Sequence, residues 1–225
     1  MFKVIVATIR TNLSPPISET VKFTRLVEQL CKQYQVKTIH VSSQIFQFFV
    51  QEETIQKMLD QVVQICAGAK TISESLRMTV SAGIAFGDIE QVTQIFGNLQ
   101  YRCFYGDVIE ISDIVSQQSF DQIMVELSSM YNINQRKQQL INNYLINQPK
   151  FIYSINTRQL IIQQKQYRIT AIENITQNNY DVQVLMKKYC ISSQSDNNEI
   201  ETTDTQLFMS YYFLSCFHFL LFQYY

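Results

Sequence analysis

Apolar and polar positions along the chain change period several times. Phe2–Ile9, FKVIVATI, is a β-branched run and predicts a buried strand. RTNLSPPIS follows as a loop punctuated by Pro15 and Pro16. From Ser18, read as an N-cap, Phe23, Leu26, Val27, Leu30, Cys31 and Tyr34 recur on one helical face. VKTIHVS and QIFQFFV predict two short strands in a hairpin. A second amphipathic helix is expected from Glu52 to Ala67, with Ile55, Met58, Leu59, Val62, Val63 and Cys66 on its face and Gly68 as its C-cap. After a loop, KTISES, strands return as LRMTVSAGIAF, IEQVTQIFG and QYRCFYG. A short helix DVIEISDIVSQQ, a strand QIMVE and a glutamine-rich helix over Leu127–Asn147 come next. KFIYSINTRQLIIQQKQYRITAIEN closes the series as two or three strands, with NTR at one turn. Helices alternating with hairpins predict an α+β sandwich, a mainly antiparallel sheet covered by helices. No internal repeat is visible.

Past about Val184 the pattern breaks down. SSQSDNNEIETTDTQ is polar and reads as linker or disordered. Residues 205–225 carry no formal charge and include the 16-residue apolar run LFMSYYFLSCFHFLLF, shorter than the ~20 residues that span a bilayer. The expected division is a domain over 1–175, a polar linker over 176–204 and an apolar tail over 205–225. The tail has four readings: a short membrane anchor with interfacial tyrosines, a buried terminal segment, a partner-binding segment, or an artefact of the gene model.

Composition narrows the function classes. The 225 residues carry a net charge of −1 with scattered Lys and Arg, which leaves no footprint for nucleic acid. Glutamine reaches 28 residues but interleaves with periodic apolar segments, which fits codon-usage bias better than a prion-like tract. Five cysteines, Cys31, Cys66, Cys103, Cys190 and Cys216, are far apart, and only His40 and His218 could join them, so no zinc motif forms. The odd, scattered thiols suit a reducing compartment. The start of the chain, MFKVIVATIR, has too short an apolar run for a signal peptide.

Glycine is the sharpest signal. Of five glycines, Gly83, Gly87, Gly97 and Gly106 fall within the 27 residues Ser81–Asp107. Strand ends and tight corners use glycine for φ > 0 or for close backbone approach, and these four read as hairpin corners. On pattern alone they fit hairpin turns of any α+β domain.

Gly83-Ile84-Ala85-Phe86-Gly87, then Gly97, then Arg102-Cys103-Phe104-Tyr105-Gly106-Asp107 resemble the core motifs of the class III nucleotide cyclase homology domain. The Gly87–Gly97 interval is about two residues longer than the family's. VKTIHV resembles the family's base-recognition hairpin and VIVATI its first strand. The likeness extends over about Phe2–Glu173, and its GIA-x-G flavour is closest to the soluble, bicarbonate-regulated branch. It implies a ferredoxin-like cyclase sandwich. It also implies cyclisation of a nucleoside triphosphate by two divalent ions held on two carboxylates. Those positions here read Thr8 and Val41. The family's ribose-orienting Asn and transition-state Arg read Glu110 and Ile114. Lys37 stands at the base-recognition position of adenine-selective enzymes, and Cys103 where guanine-selective ones often keep Cys. Lys165 is the candidate for the late phosphate-binding Lys. Asp88 and Asp107 lie near the motif but not at metal positions, and Asp107 is expected to cap the following helix.

The expectation is a catalytically degenerate domain with no catalytic residues and no metal ligands, in which Lys37, Cys103 and Lys165 are the remaining nucleotide-binding candidates. It would act by pairing with another cyclase-homology domain or within a larger assembly. No cofactor is expected, Mg or Mn entering only if the chain is active. One alternative is the active half of a heterodimeric adenylate or guanylate cyclase. A second is an unrelated α+β interaction domain with a membrane tail. Likeness to the soluble branch implies a cytoplasmic or ciliary-axonemal place.

Overall fold

The computed structural model describes residues 1–11, 16–96, 99–129, 152–173, 175, 182 and 184–185. Met1–Val182 form one compact unit and Gln183–Tyr225 a second, of which only 184 and 185 are described. The expected glutamine-rich helix beyond Ser129, most of the polar linker, and the apolar tail lie outside the described residues.

Among the described residues, eleven elements run in the order β1 (Phe2–Thr11), α1 (Ile17–Gln33), β2 (Lys37–Val41), β3 (Ile45–Val50), α2 (Ile55–Ser75), β4 (Val80–Phe96), β5 (Leu99–Tyr105), α3 (Asp107–Gln118), β6 (Ile123–Glu126), β7 (Ile152–Ile162) and β8 (Lys165–Glu173). The main sheet has the order β2-β3-β1-β4-β6-β8-β7, and β5 pairs with β4 off that path. Every pair is antiparallel except β4 with β6, which α3 joins as a crossover. The fold is the expected α+β class.

β1 sits at the centre because nearly every residue of VIVATI is apolar. Val4 to Ile9 are all buried to within 1% of full burial. A strand covered on both faces needs such a run rather than alternation. Val4 and Val6 face Val108, Ile111 and Val115 of α3 in one core cluster. Ile5, Ala7 and Ile9 point to the opposite face, which α2 covers, with α1 packed on α2.

Two of the cluster glycines set how α3 sits. A Cβ on Gly83 would lie 2.2 Å from the Ser112 carbonyl oxygen and 2.3 Å from the Ser116 amide nitrogen. One on Gly87 would lie 2.9 Å from Val108 Cβ. The helix therefore rides directly on the β4 backbone. The expectation that Gly83 and Gly87 mark hairpin corners is corrected: β4 is one strand from Val80 to Phe96 and passes straight through both. Gly97 lies outside the described residues. Gly106 stands before α3, and a Cβ there would lie 2.4 Å from the Asp88 carbonyl oxygen. It is the N-cap residue of α3. Asp107 is thus the first helical residue and makes no capping bond, although it and Glu110 place negative charge in the first turn, where the helix dipole favours it.

Other boundaries move for physical reasons. α1 starts at Ile17 with Pro16 as N-cap, two positions before the expected N-cap Ser18. α2 does not stop at Gly68 but runs to Ser75, so KTISES is helix rather than loop. Gly68 is buried inside it between Ala67 and Ala69. The stop comes at Arg77, in the left-handed region at φ 56°, with its N–H bonded to Glu74 O and that of Met78 to Ser73 O. Those bonds satisfy the last helical carbonyls without the usual glycine.

NTR is not a turn either. Asn156, Thr157 and Arg158 lie within β7, beside a bulge where the register against β8 slips between Tyr153 and Thr157. The turn is Gln163–Gln164, both at positive φ (47° and 66°), between the paired residues Ile162 and Lys165. Two-residue hairpins require this geometry, which favours Asn and Gly. Gln164→Gly is expected to stabilise the fold by about 1 kcal/mol, read as a rise in the urea midpoint at unchanged slope.

Candidate functional site

Of the positions singled out by the cyclase resemblance, Thr8 on β1 lies on the α3 side of the sheet, and Glu110 and Ile114 lie on α3 itself. Thr8 is fully buried on β1, opposite Gln47 on β3 and Gly83 on β4. Gln47 donates from Nε2 to Thr8 Oγ1 at 2.9 Å. Thr8 and Ser112 of α3 share a hydrogen bond at 2.8 Å, and the Ser112 hydroxyl donates to Ile109 O at 2.9 Å. Since Ser112 spends its only proton on that carbonyl, Thr8 must donate to Ser112. The bonds run one way: Gln47 to Thr8, Thr8 to Ser112, Ser112 to the helix backbone.

Two residues further along β1, on the same side, Arg10 donates from Nη2 to Asp113 Oδ1 at 2.6 Å. Gln117 donates to the other Asp113 oxygen at 3.1 Å. Arg10 Nε is buried without a partner among the described residues. His40, opposite Gln47 on β2, feels the same group: partial burial lowers its pKa and the Asp113 carboxylate raises it. Val41, where the resemblance would put the second metal-binding carboxylate, pairs with Phe46 and is 42% exposed.

This donor set does not fit a divalent cation. The Thr8 hydroxyl is a neutral ligand already held by two neighbours, and Val41 offers no donor. The carboxylate beside Thr8's helical partner, Asp113, carries a guanidinium that would repel the ion. Among the described residues, no three His, Cys, Asp or Glu side chains are grouped so as to hold a metal. These side chains support no metal-assisted step.

No hydrogen bond, ion pair or ring contact links the nucleotide-binding candidates Lys37, Cys103 and Lys165 to one another among the described residues. Lys37 is exposed, with Nζ 5.8 Å from the centre of the Phe49 ring, a cation–π contact worth about 0.5–1 kcal/mol. Phe49 in turn meets Phe104 edge-on at 5.0 Å and Phe2 at 6.0 Å. Aromatic rings thus occupy the space on the sheet beside Lys37. Cys103 adjoins Phe104 in sequence but alternates to the other face of β5, where Sγ donates to Gln94 Oε1 at 3.5 Å. Gln94 also donates to the Tyr105 hydroxyl at 2.6 Å.

Lys165 opens β8 just after the Gln163–Gln164 turn and is exposed. Its neighbourhood is acidic. Tyr167, on the same strand, has its pKa raised by burial and then by Glu126, Asp107 and Glu110. Glu110 is itself exposed and accepts from Gln163 Nε2 at 3.2 and 3.4 Å, tying α3 to the turn. Ile114, one helical turn further on, is half-buried against the core. Negative charge at Glu110 and an apolar side chain at Ile114 give a triphosphate no donor.

Glu126, at the end of β6, is fully buried and accepts from the backbone N–H groups of Ser128 and Ser129. Burial raises its pKa above the ordinary 4.5, and those N–H bonds pull it part of the way back. The native state therefore holds this proton more tightly than the unfolded chain. Stability from this group is present below about pH 4.5 and is lost as pH rises through the native pKa. Glu126→Gln is expected to flatten the stability–pH profile over that window, checked by urea unfolding at a series of pH values.

Four contributors escaped the sequence reading: Gln47, Ser112, Arg10 and Asp113. The signal available was a polar residue in each of the two most apolar strands, Thr8 in VIVATI and Gln47 in IFQFFV.

No protein-family model matches the chain, and no curated protein matches it. Solved structures do. The adenylyl cyclase CyaB from P. aeruginosa aligns with a TM-score of 0.60 at 10% identity, over 76% of this chain and 93% of that one. The guanylate cyclase domain of RhGC from Catenaria anguillulae, in complex with GTP, aligns with a TM-score of 0.57 at 11% identity, over 78% and 98%. A non-canonical dimeric guanylyl cyclase domain of the RhoGC fusion protein from the aquatic fungus Blastocladiella emersonii gives 0.52 at 11%, over 76% and 96%. Similarity at this identity speaks for the backbone and not for the chemistry. The chain therefore has the fold of the class III adenylyl and guanylyl cyclase catalytic domains.

Proposed function

We propose that this chain is a catalytically degenerate cyclase-homology domain that works through protein contacts, pairing with a second cyclase-type domain, a second copy of the chain being the partner at hand. The observation that carries the reading is the arm made by β4 beyond Ile89 and by β5. Among the described residues, Glu90–Phe96 and Leu99–Tyr105 pair with each other and with no other strand. Val92 (37% exposed) and Tyr105 (47%) lie on one face with Cys103, and Ile95 (72%) on the other. Large apolar groups on a two-stranded ribbon are poorly placed for a monomer and well placed for an interface. A cyclase domain of the same fold forms a dimer, which supports the reading.

The replacements at the catalytic positions support its other half. Thr8, Val41, Glu110 and Ile114 supply neither metal ligands nor phosphate donors. Among the described residues no helix is long and apolar enough to cross a membrane. We place the domain in the cytoplasm, where its free thiols Cys31 and Cys66 would stay reduced. The test is sedimentation of the purified full chain across micromolar concentrations: a dimer is expected, and a monomer throughout would sink self-pairing.

A further inference from the structure

We infer that Gln47, Thr8 and Ser112, together with the Arg10–Asp113 bridge, form a metal-independent clasp that fixes α3 to the sheet and excludes divalent cations from that place. Loss of catalytic residues alone would leave a vacant polar cleft, which a partner's carboxylates could complete. Here the donors are consumed internally and in one direction. Gln47 Nε2 reaches Thr8 at 2.9 Å, Thr8 reaches Ser112 at 2.8 Å, and Ser112 reaches Ile109 O at 2.9 Å. Thr8, Gln47 and Ser112 are all buried, so a water cannot substitute cheaply for a lost member. Gly83, opposite Thr8 in the register, lets the Ser112 backbone come close enough for the bond to form. Arg10 supplies the positive charge next to Asp113 at 2.6 Å, which opposes a cation there.

A clasp of this kind makes two demands. Its members must act as one unit, and the ion must be neither bound nor needed. Thr8→Val keeps the shape of the side chain but strands the Gln47 amide, and Ser112→Ala removes Thr8's acceptor. Each is expected to lower the melting temperature of the full chain by about 3–6 °C. The double variant is expected to lose clearly less than the sum, because either single change already breaks the chain of bonds. MnCl2 at millimolar concentration, alone or with ATP or GTP, is expected to leave the wild-type melting temperature unchanged, and the free-Mn²⁺ electron paramagnetic resonance signal should show no saturable binding. Additive losses would overturn the clasp, and saturable Mn²⁺ binding by wild type would overturn the exclusion. Should Thr8→Val fail to fold, Gln47→Met paired with Ser112→Ala still tests coupling; should Ser112→Ala fail, Gln47→Met paired with Thr8→Val does, and the wild-type Mn²⁺ titration tests exclusion in either case. Pairing is scored separately by sedimentation: a monomeric chain with coupled losses keeps the clasp and loses the pairing reading.

Discussion

Gly83→Val is expected to destabilise the domain by about 3 kcal/mol or more, the upper end of overpacking effects. The position is closed on its α3 side by backbone, not by a side chain that could swing away. Added carbon would meet the Ser112 carbonyl at 2.2 Å and the Ser116 amide at 2.3 Å, so α3 itself would have to lift. Lifting α3 uncovers Val108, Ile111 and Val115 and breaks the Thr8–Ser112 bond. The loss should register as a lower urea midpoint with cooperative unfolding retained, or as failure to fold. Gly87→Ala provides the graded control. Its new carbon would meet only the Val108 side chain, at 2.9 Å. A cost of about 1–2 kcal/mol is expected, relieved only in part when Val108 is shortened to alanine in the same chain, because the 2.9 Å contact is with Cβ, which alanine keeps. If Gly83→Val unfolds at the wild-type midpoint, α3 does not sit on β4 as described.

The second large effect concerns the arm. Val92→Asp with Ile95→Lys is expected to weaken self-association by about 100-fold or more, the scale of losing interface hot spots. Both side chains are exposed in the isolated chain, so the monomer's melting temperature should shift little. That combination, a dissociated but equally stable protein, separates an interface role from a folding role. Sedimentation and thermal unfolding of the same preparation give both numbers. An unchanged dimer would move the pairing surface elsewhere.

Much of this architecture is legible in the sequence where burial is one-sided or total. The β-branched run at Val4–Val6 and the 3,4-spaced apolar face of α1 have one sensible placement each. The structure departs where a residue does an unusual job. Arg77 takes the left-handed position after α2 that glycine usually takes, so nothing in the sequence marks the end of that helix. Gln163 and Gln164 make a turn without Asn or Gly. Gly87 has the opposite effect: it reads as punctuation but serves packing, a role visible only once α3 is placed above it.

The candidate site divides along the same line. Thr8, Val41, Glu110 and Ile114 can be located by motif, because each sits at a fixed offset from a glycine or a strand. The clasp cannot. Its contacts span 39 residues from Thr8 to Gln47 and 104 from Thr8 to Ser112, and they depend on the β1–β3 and β1–β4 registers. Spacing along the chain carries no information about such pairs. Lys37 and Cys103 show the converse: both stand out by resemblance to base-recognition positions, yet Lys37 contacts the Phe49 ring while Cys103 bonds Gln94 on the neighbouring strand.

The central claim is that a cyclase fold is kept here without cyclase chemistry. Incubating the full chain with ATP or GTP and Mn²⁺, at concentrations where it is paired, tests this most directly, with cyclic nucleotide measured by mass spectrometry. The expected result is no cyclic AMP or cyclic GMP above the protein-free blank. Cyclic nucleotide that accumulates with time and is abolished by Lys37→Ala would contradict it.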